Sequence, residues 1–135
     1  MNFRALKYIL DIESIIIEIE QILQKTENNF TVYSNDFIIK RALERDLEII
    51  GEAISKLIKL EPQLNLTNYK KIIGLRNLII HSYDSIEDEL IWSIVQKDIP
   101  LLKGEIIKLN YEFRLNRKKR INLRQYSRYW KSDCN

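Results

Sequence analysis

Residues 34–62 read SNDFIIKRALERDLEIIGEAISKLIKLEP, and this stretch decides the fold class. Ile39, Leu43, Leu47, Ile50, Ile54 and Leu57 recur at steps of three and four, the spacing that keeps side chains on one face of an α-helix. Ser34-Asn35-Asp36 offers three side chains able to cap free N–H groups at its start. Glu61-Pro62 closes it, since proline disfavours helix at the residue before it. Isoleucine is a mediocre helix former, but here the period outweighs the propensity.

The same period extends outward in both directions. Upstream, Leu6, Ile9, Leu10, Ile16, Ile17, Ile19 and Leu23 predict a first helix over about Phe3 to Leu23, with Asn28-Asn29 as the stop. Downstream, residues 63–68 form a polar loop with Thr67 or Asn68 as cap, and a third helix is expected from Tyr69 towards His81. Ser85-Ile86-Glu87-Asp88 resembles a capping box for a fourth helix lined by Ile86, Leu90, Ile91, Ile94 and Val95. Asp98-Ile99-Pro100 reads as a further helix entry, leading to Leu101, Leu102, Ile106 and Ile107. Three Gly and two Pro in 135 residues leave little material for tight β-turns. The expected fold is all-α, an antiparallel bundle of four or five helices. Residues 1–110 would form the bundle and residues 111–135 a basic, aromatic C-terminal extension.

The net charge of +3 is unevenly spread. Residues 1–110 hold 14 Lys and Arg against 17 Asp and Glu, whereas residues 111–135 hold 8 against 2. A single cysteine, Cys134, allows no internal disulfide and fits a reducing compartment. Asp11 and Glu13 interrupt the N-terminal stretch before an apolar core of signal-peptide length forms. No uncharged run approaches the roughly 18–20 residues that span a bilayer. A soluble, cytoplasmic protein without a membrane partner is expected.

Chemistry is concentrated in Gly74-Leu75-Arg76-Asn77-Leu78-Ile79-Ile80-His81-Ser82-Tyr83, which contains the chain's one histidine. Histidine titrates near working pH and can move protons, and arginine offers a permanently charged fork for phosphate oxygens. Those are the needs of metal-free RNA cleavage. The 2′-hydroxyl must lose a proton, the 5′-oxygen must gain one, and the phosphorane must be neutralised. One His and one terminal Cys make no metal-ligand cluster, so neither metal nor cofactor is expected. At about 100° per residue, Arg76 and Tyr83 share a face, but Arg76 and His81 diverge by about 140°. Either the helix ends near His81, or two copies of the segment meet across a twofold axis. Taken alone, the same residue types also suit a helix-end histidine cap and a solvated arginine.

The segment RNLIIHSY resembles the R-x-x-x-x-H-x-Y motif of HepT-like proteins of the HEPN superfamily. Further matches are Leu47-Glu48-Ile49-Ile50-Gly51-Glu52-Ala53 to the family's IGEA helix, Gly74-Leu75-Arg76-Asn77 to its G-x-R-N approach, and Trp92 with Asp98-Ile99-Pro100-Leu101 to its W…D-x-P-x-L ending. The similarity covers roughly residues 3–110; Tyr69 departs from the pattern where relatives often carry Trp. The resemblance implies a helical bundle that forms a homodimer and joins two motifs at one cleft. It implies a metal-independent endoribonuclease with Arg76 and His81 as catalytic pair, Asn77 supporting His81 or touching RNA, and Tyr83 as the residue that receives AMP. The implied partner is a minimal nucleotidyltransferase of the MntA type, the antitoxin of a type VII-like pair. ATP would be that partner's substrate rather than a cofactor of this chain.

Other features admit simpler readings. Gly51 costs helix stability, and close helix–helix approach is the natural compensation. Glu52 is a candidate supporting partner for Arg76 or His81, or a solvated carboxylate. Glu87-Asp88-Glu89 would complement a helix dipole rather than bind metal. In the extension, Arg114, Arg117, Lys118, Lys119, Arg120, Arg124, Arg128 and Lys131 interleave with Tyr126, Tyr129 and Trp130. That composition suits phosphate and unpaired bases, with Arg117–Arg120 the nearest candidates, or alternatively packing on a partner subunit. Two rivals to the ribonuclease remain: a non-catalytic helical module that binds and assists a nucleotidyltransferase, and a nucleic-acid binder resting on the extension alone.

Overall fold

The computed structural model describes residues 3–81 and 86–132, with side chains through Arg120 and at Arg124. Helix α1 (Phe3–Lys25) is followed by a short α2 (Phe30–Asn35), then α3 (Phe37–Leu60) and α4 (Tyr69–His81). A continuous rod follows, made of α5 (Asp88–Ser93), a π-helical turn (Ile94–Asp98) and α6 (Ile99–Ser132). Among the described residues there is no strand.

The long helices pack antiparallel. Lys103 pairs with Glu20 and Asn110 donates to Glu13, so numbers rise on α6 as they fall on α1. Lys56 over the Tyr8 ring, and Glu18 acting on Asp46, set the same sense between α1 and α3. Helix α3 lies between α1 and α4, while α1 also backs onto α6.

The core is rich in isoleucine: Ile9, Ile12, Ile16, Ile19, Ile50, Ile54, Ile72 and Ile106 are all buried. Burying such a side chain is worth about 1.5–3 kcal/mol, against a helix-propensity deficit below about 0.7 kcal/mol. Burial wins, which is why period and not propensity sets these helices. The face expected on α3 is buried from Leu43 to Leu57. Elsewhere the faces are narrower than expected. Leu10, Ile17, Leu90, Leu101 and Ile107 are exposed, while Ala5 and Ile12 fill the α1 seam.

Chain ends of helices follow local chemistry. Glu27 and Asn28 take left-handed φ values of 54° and 55° and stop α1. Asn29 then caps α2 through Oδ1, which accepts from the Thr31 and Val32 N–H groups, and Asp36 caps α3 in the same way. Ser34 and Asn35 therefore belong to α2, an element the period of six residues is too short to announce.

Two expected helix starts differ. The fourth helix begins at Asp88 with Glu87 as N-cap, and Glu87 makes no side-chain cap bond. Ser85, the first residue of the expected capping box, lies outside the described residues. Asp88 instead accepts from Ser34 and Lys40. Asp98-Ile99-Pro100 is not a fresh helix entry. The Ile99 N–H reaches back to the Ile94 carbonyl, five residues away, and this wider turn carries the helix past a proline that lacks its own N–H.

Candidate active site

Helices α3 and α4 approach closely at Gly51. A Cβ placed there would stand 2.5 Å from Arg76 Cβ, 2.9 Å from Arg76 Cγ and 3.4 Å from the Ile72 carbonyl oxygen. The glycine thus does more than let two helices meet. It clears the seat in which the stem of Arg76 lies.

From that seat Arg76 is held on two sides. Its Nη2 donates to Glu52 Oε2 at 2.5 Å, and its Nη1 donates to Asn77 Oδ1 at 2.9 Å. Its Nε is buried without a hydrogen-bond partner. A guanidinium has five N–H groups, so one on each terminal nitrogen remains for an incoming anion. Lys56 Nζ sits 3.6 Å from the other Glu52 oxygen, which makes Glu52 a bridge between the two cations. Of the two partners considered for Glu52, the structure selects Arg76. Asn77 likewise supports the arginine.

Arg76 borders a groove of about 500 Å³ between α1 and α3, whose walls include Lys7, Tyr8, Arg45, Glu48, Glu52 and Lys56. Tyr8 lies beneath two ammonium groups, Lys7 at 5.2 Å and Lys56 at 5.9 Å from its ring centre. Each cation also has a carboxylate beside it: Lys7 with Asp11 and Arg45 with Glu48, as Lys56 and Arg76 share Glu52. The charges lining the groove are nearly balanced.

His81 is the last residue of α4 and is exposed. Arg76 is turned inward against α3 while His81 faces outward, so the two side chains diverge as the helical period predicts. Glu52, Arg76 and Asn77 form one cluster, and His81 is not part of it. Tyr83, expected to receive AMP, lies outside the described residues. Arg117, Lys118, Lys119 and Arg120 stand on α6, in a helix that continues past residue 110 without a break.

One group escaped the sequence reading. Asp46 falls at the i+3 position after Leu43, inside the buried face of α3, and is itself buried. Burial, and then the charge of Glu18, push its carboxyl up to about 6, against the opposing pull of Arg45. Its place in the pattern Leu43, Asp46, Leu47, Ile50 was the available signal. Among the described residues no helix is long and apolar enough to cross a membrane, and no cluster of three or more His, Cys, Asp or Glu is placed to hold a metal ion.

Comparison with known proteins gives the chain its relatives. It matches the ribonuclease HepT-like family over residues 12–109. It is 32% identical over 106 residues to "Probable ribonuclease HepT" of Thermococcus cleftensis, covering 76% of this chain and 92% of that one. It is 32% identical over 97 residues to a "Putative RNase" of Caldanaerobacter subterraneus, covering 70% and 87%. A "Gamma-glutamylcyclotransferase and putative RNase" of Methanocaldococcus jannaschii is 33% identical over 123 residues, 90% of this chain but 54% of that protein, so the chain spans about half its length. No solved structure matches.

Proposed function

The chain belongs to the ribonuclease HepT-like family, and from that premise we propose that it is a metal-independent endoribonuclease of the toxin kind, with Arg76 and His81 as its catalytic pair. The observation that carries the reading is the seat of Arg76. An arginine stem threaded past Gly51 and fixed by Glu52 and Asn77 is a preorganised cation at the edge of a groove, with N–H groups to spare. Preorganisation is what makes a charged donor effective at a developing oxyanion.

In this mechanism the substrate's 2′-oxygen attacks the adjacent phosphorus and the bond to the 5′-oxygen breaks. The products are a 2′,3′-cyclic phosphate and a free 5′-hydroxyl. Arg76 binds the non-bridging oxygens as charge builds on the phosphorane. His81 moves the proton, taking it from the 2′-hydroxyl or giving it to the 5′-oxygen.

Because Arg76 points inward and His81 outward, we place the complete site at a homodimer interface. Support comes from the outer face of α4. Gly74, Asn77, Leu78 and His81 follow the i, i+3, i+4, i+7 pattern, all are exposed, and a Cβ at Gly74 would meet open space. Such a stripe suits close crossing with a second α4 and would bring the partner's histidine towards this chain's groove. Silencing follows the family's scheme. A minimal nucleotidyltransferase antitoxin transfers AMP to Tyr83, whose oxygen attacks the α-phosphorus of ATP and expels pyrophosphate. The phosphodiester so added would occupy Arg76 and repel RNA.

The test is cleavage of RNA by the purified chain in EDTA. The cyclic phosphate should be found, and His81→Ala and Arg76→Ala should each lower the rate by about 10²–10⁴-fold at unchanged helicity. Cleavage that needs added Mg²⁺, or survives His81→Ala, rejects the assignment. Incubation with the cognate nucleotidyltransferase and ATP should place AMP on Tyr83 by mass spectrometry, and a Tyr83→Phe variant should stay active.

A further inference from the structure

The basic stretch of α6 is not a uniform polycation. Helix geometry distributes its side chains around the rod, and three of them, Arg117, Lys119 and Arg120, line a cleft of about 340 Å³ against the start of α1. Lys118, between them in sequence, does not line it. The apolar walls are Phe3, Leu6 and Phe113. Phe113 is buried and ties this part of α6 to the bundle, whereas Phe3 is 73% exposed. The Arg117 guanidinium lies over the Phe3 ring, 5.7 Å from its centre.

The charge state of this cleft is the opposite of that at Arg76. In the groove every cation has a carboxylate beside it. Among the described residues, Arg117, Lys119 and Arg120 form no ion pair. Three uncompensated cations around an open aromatic ring and its stacked guanidinium suit a polymer that alternates phosphates with flat, unpaired bases. An acidic peptide would use the cations and leave the ring without a role.

We infer that this cleft is a second RNA-binding site, in which an unpaired base of a single-stranded RNA stacks at Phe3 and Arg117 while Lys119 and Arg120 hold the flanking phosphates. The identity of the polymer rests on the ribonuclease reading. The two sites flank the same first turns of α1, with Lys7 and Tyr8 facing the groove and Phe3 and Leu6 facing the cleft. The groove and the cleft therefore lie on either side of one stretch of α1.

A fluorescein-labelled single-stranded RNA oligonucleotide carrying 2′-O-methyl groups throughout lacks the nucleophile, so its anisotropy reads affinity apart from cleavage. With the full chain, the triple variant Arg117→Ala, Lys119→Ala, Arg120→Ala should bind at least roughly tenfold more weakly. The slope of its log affinity against log salt should be shallower by about 1.4, as expected for the two phosphate contacts of Lys119 and Arg120 lost on a single strand. Phe3→Ala should weaken binding roughly tenfold with the slope unchanged, the mark of lost stacking. Lys118→Ala should bind like the parent, and circular dichroism should show equal helicity throughout.

Unchanged binding by Phe3→Ala, or a loss from Lys118→Ala as large as one third of the triple variant's loss in log affinity, would reduce the cleft to diffuse electrostatics and overturn the inference. So would a polyglutamate peptide that displaces the oligonucleotide at equal concentration. If the oligonucleotide binds as expected but unmodified RNA is not cut, the ribonuclease reading fails and the binding site stands. If RNA is cut and these variants bind normally, the binding site alone fails.

Discussion

Asp46 shows at the residue scale how much one buried group can say about the molecule's response to pH. Its Oδ2 is buried without a hydrogen-bond partner, and its carboxyl is raised to about 6, by burial first and by Glu18 second. The folded chain holds this proton more tightly than the unfolded chain. The stability it contributes is therefore fully present below about pH 4 and is lost as pH rises through about 6, by at most about 3 kcal/mol. Asp46→Asn keeps the shape and removes the charge. The variant should melt above the parent at pH 7.5 and level with it at pH 4, as followed by thermal unfolding across that range. A gap that does not change with pH would reject the reading. Arg76, by contrast, was legible by type, because an arginine five residues before the one histidine suggests phosphate chemistry. Its seat was not. That Gly51 clears space for Arg76, and not merely for a neighbouring helix, depends on the rotation of two helices about their axes, and a single helix's period carries no such information.

At the scale of elements, the long helices were readable because four or more turns of apolar period exceed any accidental pattern, as on α3. The joins were less so. Asp98-Ile99-Pro100 carries the ordinary signs of a helix start, yet the chain passes through it as a π turn. The reason is tertiary. Asp98 is 4% exposed, accepts from Asn68 Nδ2 at 2.8 Å and pairs with Lys71 Nζ at 3.1 Å. Those two residues open α4, and Asn68 holds a left-handed φ of 63° while its carbonyl accepts from the Lys71 and Ile72 N–H groups. Glu105 adds a second tether through the Thr67 N–H. The π turn thus aims Asp98 at the start of the helix that bears Arg76 and His81. Asp98→Ala takes the acceptor from the exposed Asn68 amide and the half-exposed Lys71 ammonium, and should cost about 1–2 kcal/mol in chemical denaturation. Asp98→Asn retains one acceptor and should cost less than half of that. Equal losses from the two variants would mean that the charge paired with Lys71, and not the bond from Asn68, carries the tether.

The whole molecule poses a problem that one chain does not solve, since Arg76 is anchored inward on α3 while His81 stands exposed at the end of α4. If the working site joins Arg76 of one chain to His81 of its partner, two inactive variants should repair each other. Suppose Arg76→Ala is mixed with His81→Ala and subunits exchange. In the mixed dimer one site then lacks both residues, but the other receives its arginine from the His81→Ala chain and its histidine from the Arg76→Ala chain. Random exchange makes half the dimers mixed with one good site in two, so about one quarter of the parental activity should return. A site complete within each chain predicts none, because every chain in the mixture lacks one member of the pair. The measurement is RNA cleavage by the two variants alone and after co-refolding at equal concentration, with light scattering to count subunits. Monomers by scattering, or co-refolded protein as inactive as its parents, would sink the shared site and return the search for a proton carrier to the groove beside Arg76.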